Sequence, residues 1–362
     1  MKKLLQITLA LLFFASCSIE EEYRTIKISE FPEVISVKGE VFEYDNPPHL
    51  FGHELYMIDS IIVLRNHLEE SEFFYLVDKN NGEIIGSFGK RGKGPNEFLY
   101  PVFYDQFERK NDSTYMWIHD LHQRKMVLVN LNNYLLKEDP GIEKTMTQPE
   151  PVSWGLDILV LPDENLVGRS MSPEGRFFYH DVTTDSTKWV EFFPQVVDPP
   201  DKRMMVNLYQ GPTRIKPDNS KFVSALNYFK RIDVFSAEEG PTHLFSCVFD
   251  DSPENPEFPS EMDQSIPGTL MNYYFDLHLT ENYIYAINVN ITNEELNKEK
   301  DTGYSELHVF SWDGEAVACY KLNHLIFSFS IDEENGYLYG HALPESYEDE
   351  EFSGLPLIRF EL

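Results

Sequence analysis

The sequence predicts an all-β fold, a six-bladed β-propeller of four-stranded antiparallel blades, and three observations carry that reading. Six short polar turns, each followed at once by an apolar, β-branched or aromatic run, recur at intervals of roughly fifty to sixty residues. Most of these units hold a second turn downstream that joins two further strand-like runs. A loop rich in glycine and proline, Gly86 to Pro101, divides the first unit from the second and can continue neither a helix nor a central strand.

Taken in order, the chain opens with an address. Lys2 and Lys3 precede an apolar run, Leu4 to Ala15, which leads into Ser16 and Cys17. A basic start, a short apolar run and small residues before a cut make residues 1–16 a secretory signal. The run is shorter than the roughly twenty apolar residues that span a bilayer. Phe14-Ala15-Ser16-Cys17 resembles a bacterial lipobox, with Phe14 standing where an aliphatic residue is usual. That resemblance implies cleavage before Cys17 and lipidation of its thiol. Residues 17–22, which include Glu20-Glu21-Glu22, form an acidic tether similar to the signal that routes Bacteroidetes lipoproteins to the cell surface. The expected location is therefore the outer membrane, exposed at the cell surface and held through the lipid on Cys17. An ordinary exported protein with a solvated linker is the plainer alternative.

Residues 23–362 are read as one propeller domain. The formal charge of −31 repels nucleic acid and anionic headgroups, so neither is an expected partner. A composition 42% hydrophobic and 14% aromatic supports a packed core and argues against disorder. Cys247 and Cys319 lie in apolar, strand-like runs, where a cysteine behaves as a small buried hydrophobe. The exported compartment permits a disulfide between them, and no paired Cys/His spacing points to zinc. A monomer is expected.

The six marker turns fall at Asp59-Ser60, Asn111 to Ser113, Asp163 to Asn165, Asp218 to Ser220, Glu281-Asn282 and Asp332 to Gly336. The second turns fall at Asn81-Gly82, Asn132-Asn133, Thr184-Asp185, Glu239-Gly240 and Asp313-Gly314. A unit then reads as a four-stranded sheet that cannot bury both faces alone, so neighbours must stack. Asp250 to Ile266 and Asn293 to Gly303 read as insertions. The sixth unit is short of sequence, and Thr25 to Tyr44 offers an N-terminal strand to close the ring.

Gly89, Gly92, Gly94, Pro95, Glu97 and Phe98, with Pro101, resemble the glycine-rich connector of TolB-like and NHL-like six-bladed propellers, many of them Bacteroidetes lipoproteins; Asn96 replaces the family's usual glycine. Asp120 to Arg124 is similar to the turn in which Asp and Arg brace a blade hairpin in those proteins. These resemblances imply structural roles for the connector residues and for Asp120.

Few residues announce chemistry. Lys90, Arg91 and Lys93 form a basic cluster in a very acidic protein, and with His122 and Arg124 they are the candidate contacts for an anionic ligand or partner. The loop lacks the Gly-Lys-Ser/Thr ending of a nucleotide cradle. His119, Asp120 and His122 include competent metal ligands, but His119 and Asp120 would point to opposite sides of a strand. No metal or cofactor is expected; calcium enters only with the enzyme alternative below. Ser60, Ser113 and Ser186 each follow an aspartate in a turn and resemble the O-glycosylation acceptor of Bacteroidetes, although Asp-Ser is also ordinary turn chemistry. The leading functional expectation is a binding module for a glycan, peptide or protein at one end of the central channel. The alternatives are a lactonase- or lyase-type enzyme with a site at the channel mouth and a bound divalent metal, or a structural partner in an outer-membrane complex. The enzyme question leans towards no catalysis.

Overall fold

Each of the six marker turns joins the first and second strands of a sheet. The computed structural model describes residues 24–45, 54–67, 72–135, 141–192, 203–238, 240–254, 256–259, 265–296, 303–342 and 355–362, and shows a six-bladed β-propeller. The expected signal segment, the expected lipidation site at Cys17 and the expected acidic tether lie outside those residues. Among the described residues no helix is long and apolar enough to cross a membrane.

The described chain enters through three short strands, β1 (Thr25–Ile28), β2 (Val34–Val37) and β3 (Glu40–Val41). Blade 1 follows as β4 (Glu54–Ile58), β5 (Ile61–Arg65), β6 (Phe74–Asp78) and β7 (Ile84–Phe88). Blade 2 is β8 (Pro101–Lys110), β9 (Ser113–Asp120), β10 (Lys125–Asn130) and β11 (Ile142–Thr147). Blade 3 is β12 (Gly155–Val160), β13 (Leu166–Ser170), β14 (Phe177–Asp181) and β15 (Ser186–Val190). Blade 4 is β16 (Thr213–Ile215), β17 (Lys221–Ala225), β18 (Arg231–Ser236) and β19 (Thr242–Phe249). Blade 5 is β20 (Met271–Leu279), β21 (Tyr283–Thr292), β22 (Ser305–Ser311) and β23 (Ala316–Leu322). Blade 6 has β24 (Ile326–Asp332), β25 (Tyr337–Ala342) and β26 (Leu357–Glu361) from its own stretch of chain.

The N-terminal segment closes the ring, as the short sixth unit predicts, and it does more than close it. β3 pairs antiparallel with β26, Val41 opposite Ile358, and so supplies the fourth strand of blade 6. β1 runs parallel to β19, Thr25 opposite Ser246, and β2 runs parallel to β23, Val34 opposite Cys319. One strap thus covers the outer edges of three successive blades, edges that would otherwise present unpaired backbone groups.

One expected hairpin turn is a helix instead. Asn132 and Asn133 lie within the short helix α1 (Leu131–Leu135). Leu131 is buried, and the Asn130 side chain accepts the Asn132 N–H at 3.0 Å, so local capping and an apolar anchor outweigh turn propensity.

Apolar clusters fill the spaces between adjacent blades, and the interface of blades 3 and 4 holds buried charge as well. Arg176, just ahead of β14, reaches from blade 3 to Asp233 of β18 at 2.5 Å and to Ser224 at 3.1 Å. Asp233 also accepts from Arg231 and Ser246, each at 2.6 Å, with none of its surface exposed. Cys247 and Cys319 are buried free thiols in different blades.

This topology fixes two faces. Inner strands begin at the face reached by the blade-to-blade connectors and by the second-to-third strand loops. The marker turns lie on the other face. Ser60, Ser113 and Ser186 belong to that opposite face, each after an aspartate with positive φ (Asp59, Asp112 and Asp185); Ser60 and Ser186 are exposed and Ser113 is half-buried.

Candidate functional site

The candidate site is built mainly from the inner strands, where residues of several blades meet at the channel mouth. A cavity of 490 Å³ there is bordered by Glu54 and Tyr56 of β4, Arg214 of β16, Asp276 of β20 and Ser328 of β24, with Asn227 from the β17–β18 loop. Phe275, Phe327 and Tyr228 give it aromatic walls. A lobe of 280 Å³ continues towards blades 2 and 3, past Tyr104, Asp157 and Arg169. Gly211, on the approach to β16, lines this lobe and lets the backbone pass close to the end of β17. A Cβ at that glycine would lie 1.9 Å from the Ala225 carbonyl oxygen, and its φ of 156° disfavours other residues.

Charges at the mouth are matched in pairs. Glu54 accepts from Arg65 at 2.5 Å and also pairs with His67. Arg169 Nε lies 2.9 Å from Asp157, whose positive φ of 48° marks an irregular inner strand. Arg214 Nη2 donates to Asp276 at 2.7 Å and its Nη1 donates to the Thr213 carbonyl at 3.1 Å. Burial pulls the Arg214 guanidinium down, but Asp276, Tyr56, Asp105 and Asp157 together hold it above its ordinary value, so it stays charged. Burial raises the Asp276 carboxyl against the opposing pull of Arg214 and of the Leu277 and Phe329 N–H groups. Tyr56 is buried and donates its hydroxyl proton to the Phe103 carbonyl at 2.7 Å. Deeper in the channel, His278 of blade 5 bridges to Asp105 of blade 2 at 2.9 Å, forming a floor.

Two polar atoms at this mouth have no hydrogen-bond partner among the described residues: Arg214 Nε and Asn227 Oδ1. Their residues border both parts of the cavity. A buried donor or acceptor left unmade costs about 1–3 kcal/mol. An N–H donor and an amide oxygen beside aromatic walls suit a ligand that both accepts and donates hydrogen bonds.

The residues that the sequence singled out are placed elsewhere. Lys90, Arg91, Lys93, His122 and Arg124 line neither part of the cavity. Arg91 lies over Phe73 at 4.0 Å and donates to the His67 carbonyl at 3.1 Å, while Lys90 and Lys93 are exposed. His122 stacks on Tyr100. Asp120 is the brace its motif implies, accepting the N–H groups of Leu99, Tyr100, His122 and Gln123 at 2.7–3.2 Å. Arg124 takes no part in that brace; its guanidinium lies 5.0 Å over the exposed Trp154 ring, beside a separate surface cavity of 300 Å³.

The connector itself is a folded loop. Glu97 accepts the Gly94 N–H at 2.8 Å and fills the space where a Gly92 Cβ would stand, Phe98 is fully buried, and Gln123 and Lys125 donate to the Glu97 carbonyl at 2.9 Å. Gly89 has a φ of 87°, and Pro95 is exposed. The mouth residues were missed because each unit contributes only a few of them, in no repeated pattern. The one available signal was a charged residue inside an apolar strand, as in Thr213-Arg214-Ile215 and Phe275-Asp276-Leu277.

Residues 51–334 match the family model described as TolB-like 6-blade propeller-like. No curated protein matches the chain in sequence. Among solved structures, a Bacteroides fragilis protein described as a candidate exported protein aligns at 13% identity, over 90% of this chain and 98% of its own, with a TM-score of 0.53. A member of the DUF4221 family from Bacteroides vulgatus aligns at 12% identity, over 90% of this chain and 97% of its own, with a TM-score of 0.56. The chain belongs to the TolB-like six-bladed propeller family.

Proposed function

We propose that this TolB-like propeller is an exported binding module that takes a small, neutral polar ligand, a glycan or a peptide segment, in its channel mouth. The observation that carries this reading is the pair of unpartnered atoms, Arg214 Nε and Asn227 Oδ1, at a cavity walled by Phe275, Phe327 and Tyr228. A hydroxyl or a peptide group offers both the acceptor and the donor that this pair lacks. A neutral ligand is favoured because Glu54, Asp157 and Asp276 are each already paired with an arginine. A lipid on Cys17 would hold the domain at the outer membrane, and the description of the B. fragilis neighbour agrees with export.

Calorimetric titration of the full chain with panels of oligosaccharides and short peptides tests the site. A ligand whose affinity falls at least tenfold in Asn227→Ala, with the melting temperature held within a degree or two, supports it. Failure of both panels to bind, or binding unchanged in Asn227→Ala and in Arg214→Lys, would overturn it. The anchor is tested separately: Cys17→Ala should move the protein from the membrane fraction to the soluble one.

A further inference from the structure

We propose that Glu306, His308 and Cys319 form a site for one zinc-class divalent cation, at the outer side of blade 5 and apart from the channel mouth. Strand geometry assembles it. Glu306 and His308 are two residues apart on β22 and share a face, and pairing with β23 sets Cys319 opposite His308. The three donor atoms lie within 4.8 Å of one another, and His308 Nε2 is 3.2 Å from Glu306 Oε2. Donors around a tetrahedral zinc stand roughly 3.4–3.8 Å apart, so small side-chain rotations bring all three onto one ion. A thiol, an imidazole and a carboxylate select zinc over calcium or magnesium, which prefer oxygen donors.

A fourth group points to the same place. Asn288 of β21 is 1% exposed and stands opposite Glu306, with its Nδ2 3.5 Å from His308 Nε2. Its Oδ1 has no hydrogen-bond partner among the described residues. Turning this amide over would replace a poor N-to-N contact with an oxygen aimed at the ion. Tyr274 Oη lies 3.1 Å from His308 Nδ1. With Nε2 on the metal, the ring proton resides on Nδ1 and is donated to that oxygen, which fixes tautomer and ring orientation.

The surroundings suit a closed site. Phe31, in the strap between β1 and β2, and Phe249 of blade 4 pack on the His308 ring, with centroids 4.7 and 5.2 Å away. On binding, the Cys319 S–H bond breaks, the thiolate takes the metal and the proton leaves to solvent. A dication with one carboxylate and one thiolate is neutral, so the buried site carries no net charge. Lys230 and Lys321 are the cations that face it. Lys230 is engaged by Asp251 at 3.0 Å, and Lys321 stands opposite Glu306 across the sheet. The Glu306 side chain, 22% exposed, marks the way in. No familiar spacing announced this group, because its third donor arrives only across a hairpin.

Cobalt(II) added to the full chain is the probe. One equivalent should bind, giving tetrahedral d–d absorption with a thiolate-to-cobalt band that zinc displaces. Cys319→Ser should lose that band, and Glu306→Gln should keep it with affinity at least tenfold weaker. Absence of cobalt binding by the folded chain would overturn the proposal, as would an undiminished thiolate band in Cys319→Ser. Should Cys319→Ser fail to fold, the partly exposed Glu306→Gln decides alone, and unchanged affinity there would count against the site.

Discussion

Two buried arginine–aspartate pairs of this propeller behave in opposite ways. Asp233 sits between Arg176 and Arg231 and accepts from Ser246, and it is held down to about 2 although burial alone would raise it. Asp276 has the single cation Arg214, two N–H donors and the Ser328 hydroxyl, and there burial wins and the carboxyl is raised. The first pair is sealed between blades 3 and 4. The second borders a cavity. Two guanidiniums on one carboxylate make a strut, whereas one guanidinium beside an open space leaves burial the larger influence on its carboxylate.

That contrast can be broken by mutation. Asp233→Ala strands two guanidiniums in the interior and should destabilise by about 3–5 kcal/mol, read as a fall in the denaturant midpoint at unchanged slope. Asp276→Asn removes a carboxylate already penalised by burial and should cost less, about 1–2 kcal/mol, by the same measurement. Equal losses at the two positions would erase the distinction.

Acid separates the pairs by sign. A depressed carboxyl stabilises the fold above its unfolded value and loses that contribution as pH falls through its folded value. The Asp233 contribution, about 2 kcal/mol for a shift of this size, should therefore disappear between about pH 4 and pH 2. The raised Asp276 carboxyl stabilises at low pH, and that contribution fades as pH climbs through its folded value. Stability profiles of the Asp233→Asn and Asp276→Asn variants against the parent chain should differ with opposite slopes. The smallest effect is expected at the connector. The double substitution Lys90→Ala and Lys93→Ala should shift stability by less than about 0.5 kcal/mol and leave ligand binding untouched, because both side chains are exposed and away from the mouth.

The same contrast shows what the sequence could tell. The marker turns are local events: in five of the six, Asp59, Asn111, Glu164, Asn219 and Gly336 hold the positive φ that short polar turns use. The period, and so the blade count, was legible for that reason. The connector was legible too, since Gly92 and Glu97 fit against each other within one loop. The mouth was not. Glu54, Arg214 and Asp276 come from three different repeats, and only the closed ring brings them together. The strap was half legible. Its alternating residues read as strand, but parallel pairing of Thr25 with Ser246 leaves no trace in either segment alone. Asn132-Asn133 misled because the Asn130 side chain caps the Asn132 N–H, and the buried Leu131 favours the helix.

The strap also sets how the domain meets force. A load entering from the residues ahead of Thr25, drawn along β1, shears a four-residue parallel ladder whose bonds must fail together, and does not peel them singly. Behind that ladder stands a second parallel clasp at β2, and only then the antiparallel pair of β3 and β26 that closes the ring. The three clasps lie in series, and the seam of the ring is the last of them to feel the pull.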